Sequence, residues 1–162
     1  IENFATLSPI PGFNLWLDQC LLDENFDLLT PEQSDVLMAT ASTDSPNAAL
    51  KELLSRKKWY LNVALSNILK IPLLRLCAHY LLLEKRPEGT AADSVAHFHL
   101  NNGAGLEQLN WQADLSERGL KQSNGVMLNY LYDLKTIDSN HESYRAGKPV
   151  IASAALRNLL KD

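Results

Sequence analysis

The chain has 162 residues, 46% hydrophobic and 21% charged, with a formal net charge of −4. That size suits one domain with its own core. The acidic balance excludes a general nucleic-acid binder, which needs a basic stripe, yet allows one phosphorylated ligand held by a few cations or backbone amides.

No stretch reaches the roughly 18 consecutive apolar residues of a membrane span. The two cysteines, Cys20 and Cys77, lie far apart and outside any CxxC pattern, which fits free thiols in a reducing compartment. The first residue is Ile1 rather than Met, and no charged segment followed by an apolar one opens the chain. A signal peptide is therefore not expected, and a processed or truncated chain is.

In chain order, residues 1–7 predict a strand that runs out in the LSPIPGF segment, because Pro9 and Pro11 have no amide to donate to a ladder. Residues 14–22 predict a helix with Leu15, Trp16, Gln19 and Cys20 on a narrow face. Thr30-Pro31-Glu32-Gln33 is a helix start, with Thr as N-cap and Gln at N3, and the helix runs to about Ala41. Ser45-Pro46 opens another, with Leu50, Leu53 and Leu54 apolar. Two more helical segments, 59–70 and 72–84, are separated by Pro72.

The pattern changes after Arg86-Pro87-Glu88-Gly89. VAHFHL at 95–100 and LEQLNW at 106–111 both alternate, with NNGAG between them, and predict a hairpin over 95–111. Helices are predicted over about 123–135 and 149–161, the second opened by Pro149. One early strand and one late hairpin among many helices make an α+β pattern with an incomplete sheet. The missing strands are expected from preceding sequence.

Three separated segments are distinctive: TLSPIPGF at 6–13, IPLLRLCAHYLLLEK at 71–85, and FHLNNGA at 98–104, which continues through LNWQADLSERG at 109–119 and SNGVMLNYLY at 123–132. In order and spacing they resemble the C-terminal catalytic region of malonyl-CoA decarboxylases. The resemblance implies a GNAT acyltransferase fold, with CoA lying between two parallel strands that splay apart. Residues 1–13 would hold the second splayed strand and the SPIPGF loop, 14–86 a helical insertion, 95–111 the final two strands, and 123–162 the C-terminal helices. By motif, Ser8 and His99 are the catalytic residues acting on the malonyl group, and Tyr132, the second tyrosine of NYxY, lines the same site. His97 departs from some relatives and inherits no role. The glycine-rich loop for the CoA pyrophosphate would precede residue 1, so the chain alone is expected to be incomplete. A homo-oligomer is expected, in a bacterial cytoplasm or, in a eukaryote, the mitochondrial matrix.

The chemistry suits these residue types. Expelling carbon dioxide from malonyl-CoA leaves a thioester enolate, so the site must stabilise charge on the thioester oxygen, orient the carboxylate and deliver a proton to carbon. The thioester is itself the electron sink, so no metal or organic cofactor is expected. A histidine donates protons near neutral pH, and a serine hydroxyl bonds a carboxylate or relays a proton.

Plainer readings stand beside these. A serine before proline is commonly a turn residue. On a strand His97 and His99 share a face, the spacing of a metal pair, with His79 or His141 as a third ligand. Tyr130 and Tyr132, read on a helix, serve equally as core aromatics, Arg75 as a structural ion-pair member or a phosphate contact, and Asn110 and Trp111 as sheet packing. The Arg56-Lys57-Lys58 run reads as a solvated face. The rival functions are a GNAT-type acyltransferase moving an acyl group from CoA to an amine, and a non-catalytic helical interaction module.

Overall fold

The computed structural model describes residues 2–162, so Ile1, where the first strand was read to begin, lies outside the described residues. The elements run β1 (Asn3–Ser8), α1 (Phe13–Leu21), α2 (Pro31–Ala41), α3 (Pro46–Ser55), one 3-10 turn (Trp59–Leu61), α4 (Val63–Leu83), α5 (Ser94–Asn101), β2 (Gly105–Asn110), α6 (Glu117–Ser123), β3 (Met127–Asp133), α7 (Ile137–Arg145) and α8 (Ala154–Asn158). The architecture is α+β, a small antiparallel sheet with most of the chain in helices.

The sheet has the order β1-β3-β2. β3 is central and antiparallel to both neighbours, with Phe4 opposite Tyr132, Thr6 opposite Tyr130 and Ser8 opposite Leu128. Side chains alternate along a strand, so these six residues share one face, and on it Leu128 and Tyr130 are fully buried. The outer edge of β2 is covered by an extended segment, through Leu106 N–H to Ile151 O at 2.9 Å and Ser153 N–H to Leu106 O at 2.9 Å. The outer edge of β1 pairs with no strand among the described residues.

The helices start where their caps are. Thr30 Oγ1 accepts from Gln33 N while Gln33 Oε1 accepts from Thr30 N, closing the capping box of α2. Ser45 caps α3 and Asn62 caps α4. α4 is the hub of the core: Leu65, Leu69, Leu73, Leu76, Cys77, Tyr80 and Leu81 are all buried, the near all-round burial of an internal helix. Arg75, on the same helix, donates to Leu28 O and Lys161 O, each at 2.8 Å, and pairs with Asp162 at 2.9 Å. It is a structural tie between α4 and the chain's last residues. Trp111 packs on Trp59 and donates to Ser66 Oγ. Cys20 and Cys77 are free thiols. Among the described residues no helix is long and apolar enough to cross a membrane.

Several expectations are corrected. The segment 95–100 is helix α5, so no hairpin spans 95–111. Asp93 Oδ1 accepts from Val95 N and Ala96 N and starts the helix, and Ala96, His99 and Leu100 form its buried face. Residues 127–133 are strand β3 rather than part of a helix over 123–135. Asn124 ends α6 in the left-handed conformation and Gly125, at φ +86°, turns the chain into an extended run. The C-terminal region is therefore not all helix. α7 lies outside the predicted helices, and the last helix is only Ala154–Asn158, capped by Ser153. Pro72 does not divide α4; burial on both sides of it offsets its missing hydrogen bond, a loss of about 3 kcal/mol in an isolated helix.

Candidate active site

Three elements meet at the buried face of the sheet. Ser8 is the last residue of β1, buried, and Pro9 after it ends the ladder. His99 sits in the last turn of α5, buried at 9% exposure. Tyr132 comes from β3. α5 is linked to the sheet by the Asn101–Ala104 turn, where Gly103 adopts φ +89° and an added Cβ would lie 2.4 Å from Ile137 O. Only glycine fits that close approach.

The three side chains form one hydrogen-bonded chain. Ser8 Oγ lies 3.3 Å from His99 Nε2, and His99 Nδ1 lies 2.6 Å from the Tyr132 hydroxyl. Thr6 Oγ1, on the same face of β1, holds Ser8 Oγ at 3.0 Å. The Tyr130 ring stacks on the imidazole at 4.1 Å and 22°, and Phe4 stacks on Tyr132 at 4.8 Å and 7°. Phe98 meets the His99 ring edge-on at 5.1 Å, and Phe4 and Phe98 are 49% and 60% exposed.

The electrostatics follow from burial. Desolvation lowers the His99 pKa below its ordinary value, so the ring is neutral at pH 7. Desolvation raises the Tyr132 pKa, so its hydroxyl keeps its proton. In one tautomer of the neutral ring the Tyr132 hydroxyl donates to Nδ1 and Nε2–H faces Ser8. The opposite tautomer satisfies the same distances.

Ser8, His99 and Tyr132, singled out in the sequence, are thus brought together. His97 is not: two residues apart on a helix, the two imidazoles point to different sides. His97 Nδ1 lies 2.7 Å from the Tyr144 hydroxyl, which also accepts from Ala91 N. His79 stacks on Trp16, and His141 contacts Asn101 O. Among the described residues no three His, Cys, Asp or Glu side chains are grouped to hold a metal. Thr6 and Phe4 escaped the sequence reading. Their signal was the period of two counted back from Ser8.

A family model described as the malonyl-CoA decarboxylase C-terminal domain matches residues 1–162. The mitochondrial malonyl-CoA decarboxylase of Anser anser anser is 41% identical over 157 residues, covering 94% of this chain and 31% of that protein. Its counterpart in Rattus norvegicus is 40% identical over 162 residues, covering 97% and 32%. The crystal structure of malonyl-CoA decarboxylase from Rhodopseudomonas palustris superposes with a TM-score of 0.82 at 37% identity, covering 98% of this chain and 33% of that one. That from Agrobacterium vitis gives 0.82 at 34% identity, covering 100% and 36%. The chain therefore spans about a third of the length of the relatives it matches. With the whole chain matched by one family model and its sheet, helices and overall course shared with these structures, it belongs to the malonyl-CoA decarboxylase C-terminal domain family.

Proposed function

We propose that this chain supplies the acyl-end chemistry of a malonyl-CoA decarboxylase, converting malonyl-CoA to acetyl-CoA and carbon dioxide. The observation that carries the reading is the buried Ser8–His99–Tyr132 hydrogen-bond chain within this family's domain. In the reaction the bond from the α-carbon to the carboxylate breaks, its electron pair passes into the thioester as an enolate, and the α-carbon takes up one proton.

Each side chain then has a role. The anionic malonyl carboxylate beside His99 raises the ring's proton affinity, so the imidazolium forms in the complex. Nε2–H donates to Ser8 Oγ, and the Ser8 hydroxyl passes its own proton to the α-carbon. His99 returns to neutrality and is recharged from solvent, which accounts for the proton the reaction consumes. Tyr132 keeps its proton throughout. Its oxygen accepts from Nδ1–H both in the imidazolium and in the neutral ring left when Nε2 gives up its proton, and so holds the ring in place in both states. Phe4 and Phe98 keep water from the carboxylate as it leaves. The thioester accepts the electron pair, so this route calls on no metal or organic cofactor.

The unpaired edge of β1 is the proposed line of contact with an upstream segment of the same protein. That segment would complete a GNAT-type sheet and carry the pyrophosphate loop. We further infer a homo-oligomer, in the bacterial cytoplasm or, for a eukaryotic source, in the mitochondrial matrix; the names of the goose and rat relatives say mitochondrial of those proteins. The test is product analysis by the whole protein. Malonyl-CoA should yield acetyl-CoA and carbon dioxide one for one. Free CoA with the acyl group moved to an amine would favour a transferase and overturn the proposal, as would intact malonyl-CoA.

A further inference from the structure

Asp93 is almost completely buried, at 1% exposure, and its two oxygens serve different elements. Oδ1 accepts from Val95 N at 3.0 Å and Ala96 N at 3.1 Å, which is the ordinary work of a helix N-cap. Oδ2 accepts from Gly12 N at 3.1 Å and from the Tyr80 hydroxyl at 3.3 Å. Capping needs only the first set. The second ties the start of α5 to the loop that leaves Ser8 and to the central helix α4.

Gly12 is shaped for this junction. An added Cβ would lie 2.2 Å from the Tyr80 oxygen, so any side chain would force the loop and the Tyr80 hydroxyl apart, while Asp93 Oδ2 at 3.4 Å would be in ordinary contact. Burial, and then the neighbouring carboxylate, pushes the Tyr80 pKa up, so its hydroxyl remains a donor. Gly12 is four residues beyond Ser8, and His99 is six beyond Asp93 on one rigid helix. One carboxylate therefore connects the backbone on both sides of the Ser8–His99 pair.

We propose that Asp93, clamped between Gly12 and Tyr80, is a positioning residue that sets the separation of Ser8 and His99. It touches neither side chain and acts through the two backbones. A loosened junction lets α5 slide against the Ser8 loop, and a misplacement of about 1 Å is enough to cost on the order of a hundredfold in rate.

The kinetic test rests on the decarboxylase reading above. Asp93→Ser keeps a capping oxygen, since Ser and Asp cap about equally well, but does not reach Gly12 or Tyr80. Asp93→Asn keeps the cap and the volume but turns an N–H₂ toward the Gly12 N–H. In the whole protein both should lose kcat at least about tenfold, with KM for malonyl-CoA within about threefold and an unchanged circular dichroism spectrum. Tyr80→Phe, which removes one of the two ties, should lose less, about threefold. Asp93 variants with a lowered melting temperature but kcat within about twofold of wild type would reduce Asp93 to a cap and overturn the proposal. Should neither fold, Tyr80→Phe decides by the same split, and wild-type kcat there overturns it. A wild-type protein that makes no acetyl-CoA contradicts the decarboxylase reading instead. The junction is then read by NMR titration of the His99 imidazole. An upward move of about half a unit or more in Asp93→Ser, as water reaches the ring, supports it, and an identical titration overturns it.

Discussion

Ser8 Oγ has two side-chain partners, Thr6 Oγ1 and His99 Nε2, so Ser8→Ala separates a structural role from a chemical one. The change removes a hydroxyl and little volume, and stability should fall by only about 1 kcal/mol. Turnover should fall on the order of a hundredfold if Ser8 relays the proton. Melting temperature and acetyl-CoA production measured on one sample distinguish the two, and near-normal turnover would remove Ser8 from the mechanism. Tyr132→Phe tests the next link. It takes away the hydroxyl at 2.6 Å that fixes the His99 ring and should lower kcat about tenfold or more while leaving KM nearly unchanged.

At the scale of elements, the sequence spoke clearly where a cap or a break announces itself. Thr30-Pro31 and Ser45-Pro46 open α2 and α3 as read, and Pro9 ends β1. It misled where two periods fit a short segment. VAHFHL alternates, yet Ala96, His99 and Leu100 also sit at helical spacing, and Asp93 before them decides for the helix. MLNYLYD carries Leu128, Tyr130 and Tyr132 at a period of two, and Asn124-Gly125 marks the stop before it. The choice of Ser8, His99 and Tyr132 did not depend on these element readings, because it rested on motif words and not on the element type. That they share one site was legible only through the resemblance, since their meeting depends on β3 pairing with β1 and no local pattern encodes that. Gly103 is where the α5–sheet turn is most exposed to change. Gly103→Ala places a Cβ against Ile137 O at positive φ and should destabilise the protein by about 1–3 kcal/mol in a denaturant titration. A loss of under about half a kcal/mol would show that the turn relaxes freely.

For the whole molecule, a three-stranded sheet with β1 unpaired on its outer side, among the described residues, places the Ser8–His99–Tyr132 hydrogen-bond chain next to a sheet edge with no strand partner there. Stability should also respond to acid through the imidazoles of buried His99 and half-buried His79. Burial is the main cause that lowers the pKa of both His99 and His79 below the ordinary 6.5. The unfolded chain therefore takes up these protons first as pH falls. The stability they contribute is fully present above 6.5 and is lost as pH drops through that value toward the lower folded pKa values. Melting temperature should decline from pH 7 to about 5, and His99→Gln should flatten that decline. An unchanged slope would mean that His99 protonates alike in both states.

His99, held between Ser8 and Tyr132, is the residue proposed to handle the proton, while His97 two residues away contacts Tyr144. The most direct measurement is acetyl-CoA formation from malonyl-CoA by the whole protein carrying His99→Asn, set beside His97→Asn. His99→Asn should reduce turnover by on the order of a hundredfold or more, the usual scale for losing a general acid, and His97→Asn should stay within about threefold of wild type. Equal losses in the two variants, or wild-type turnover with His99→Asn, would contradict that proposal.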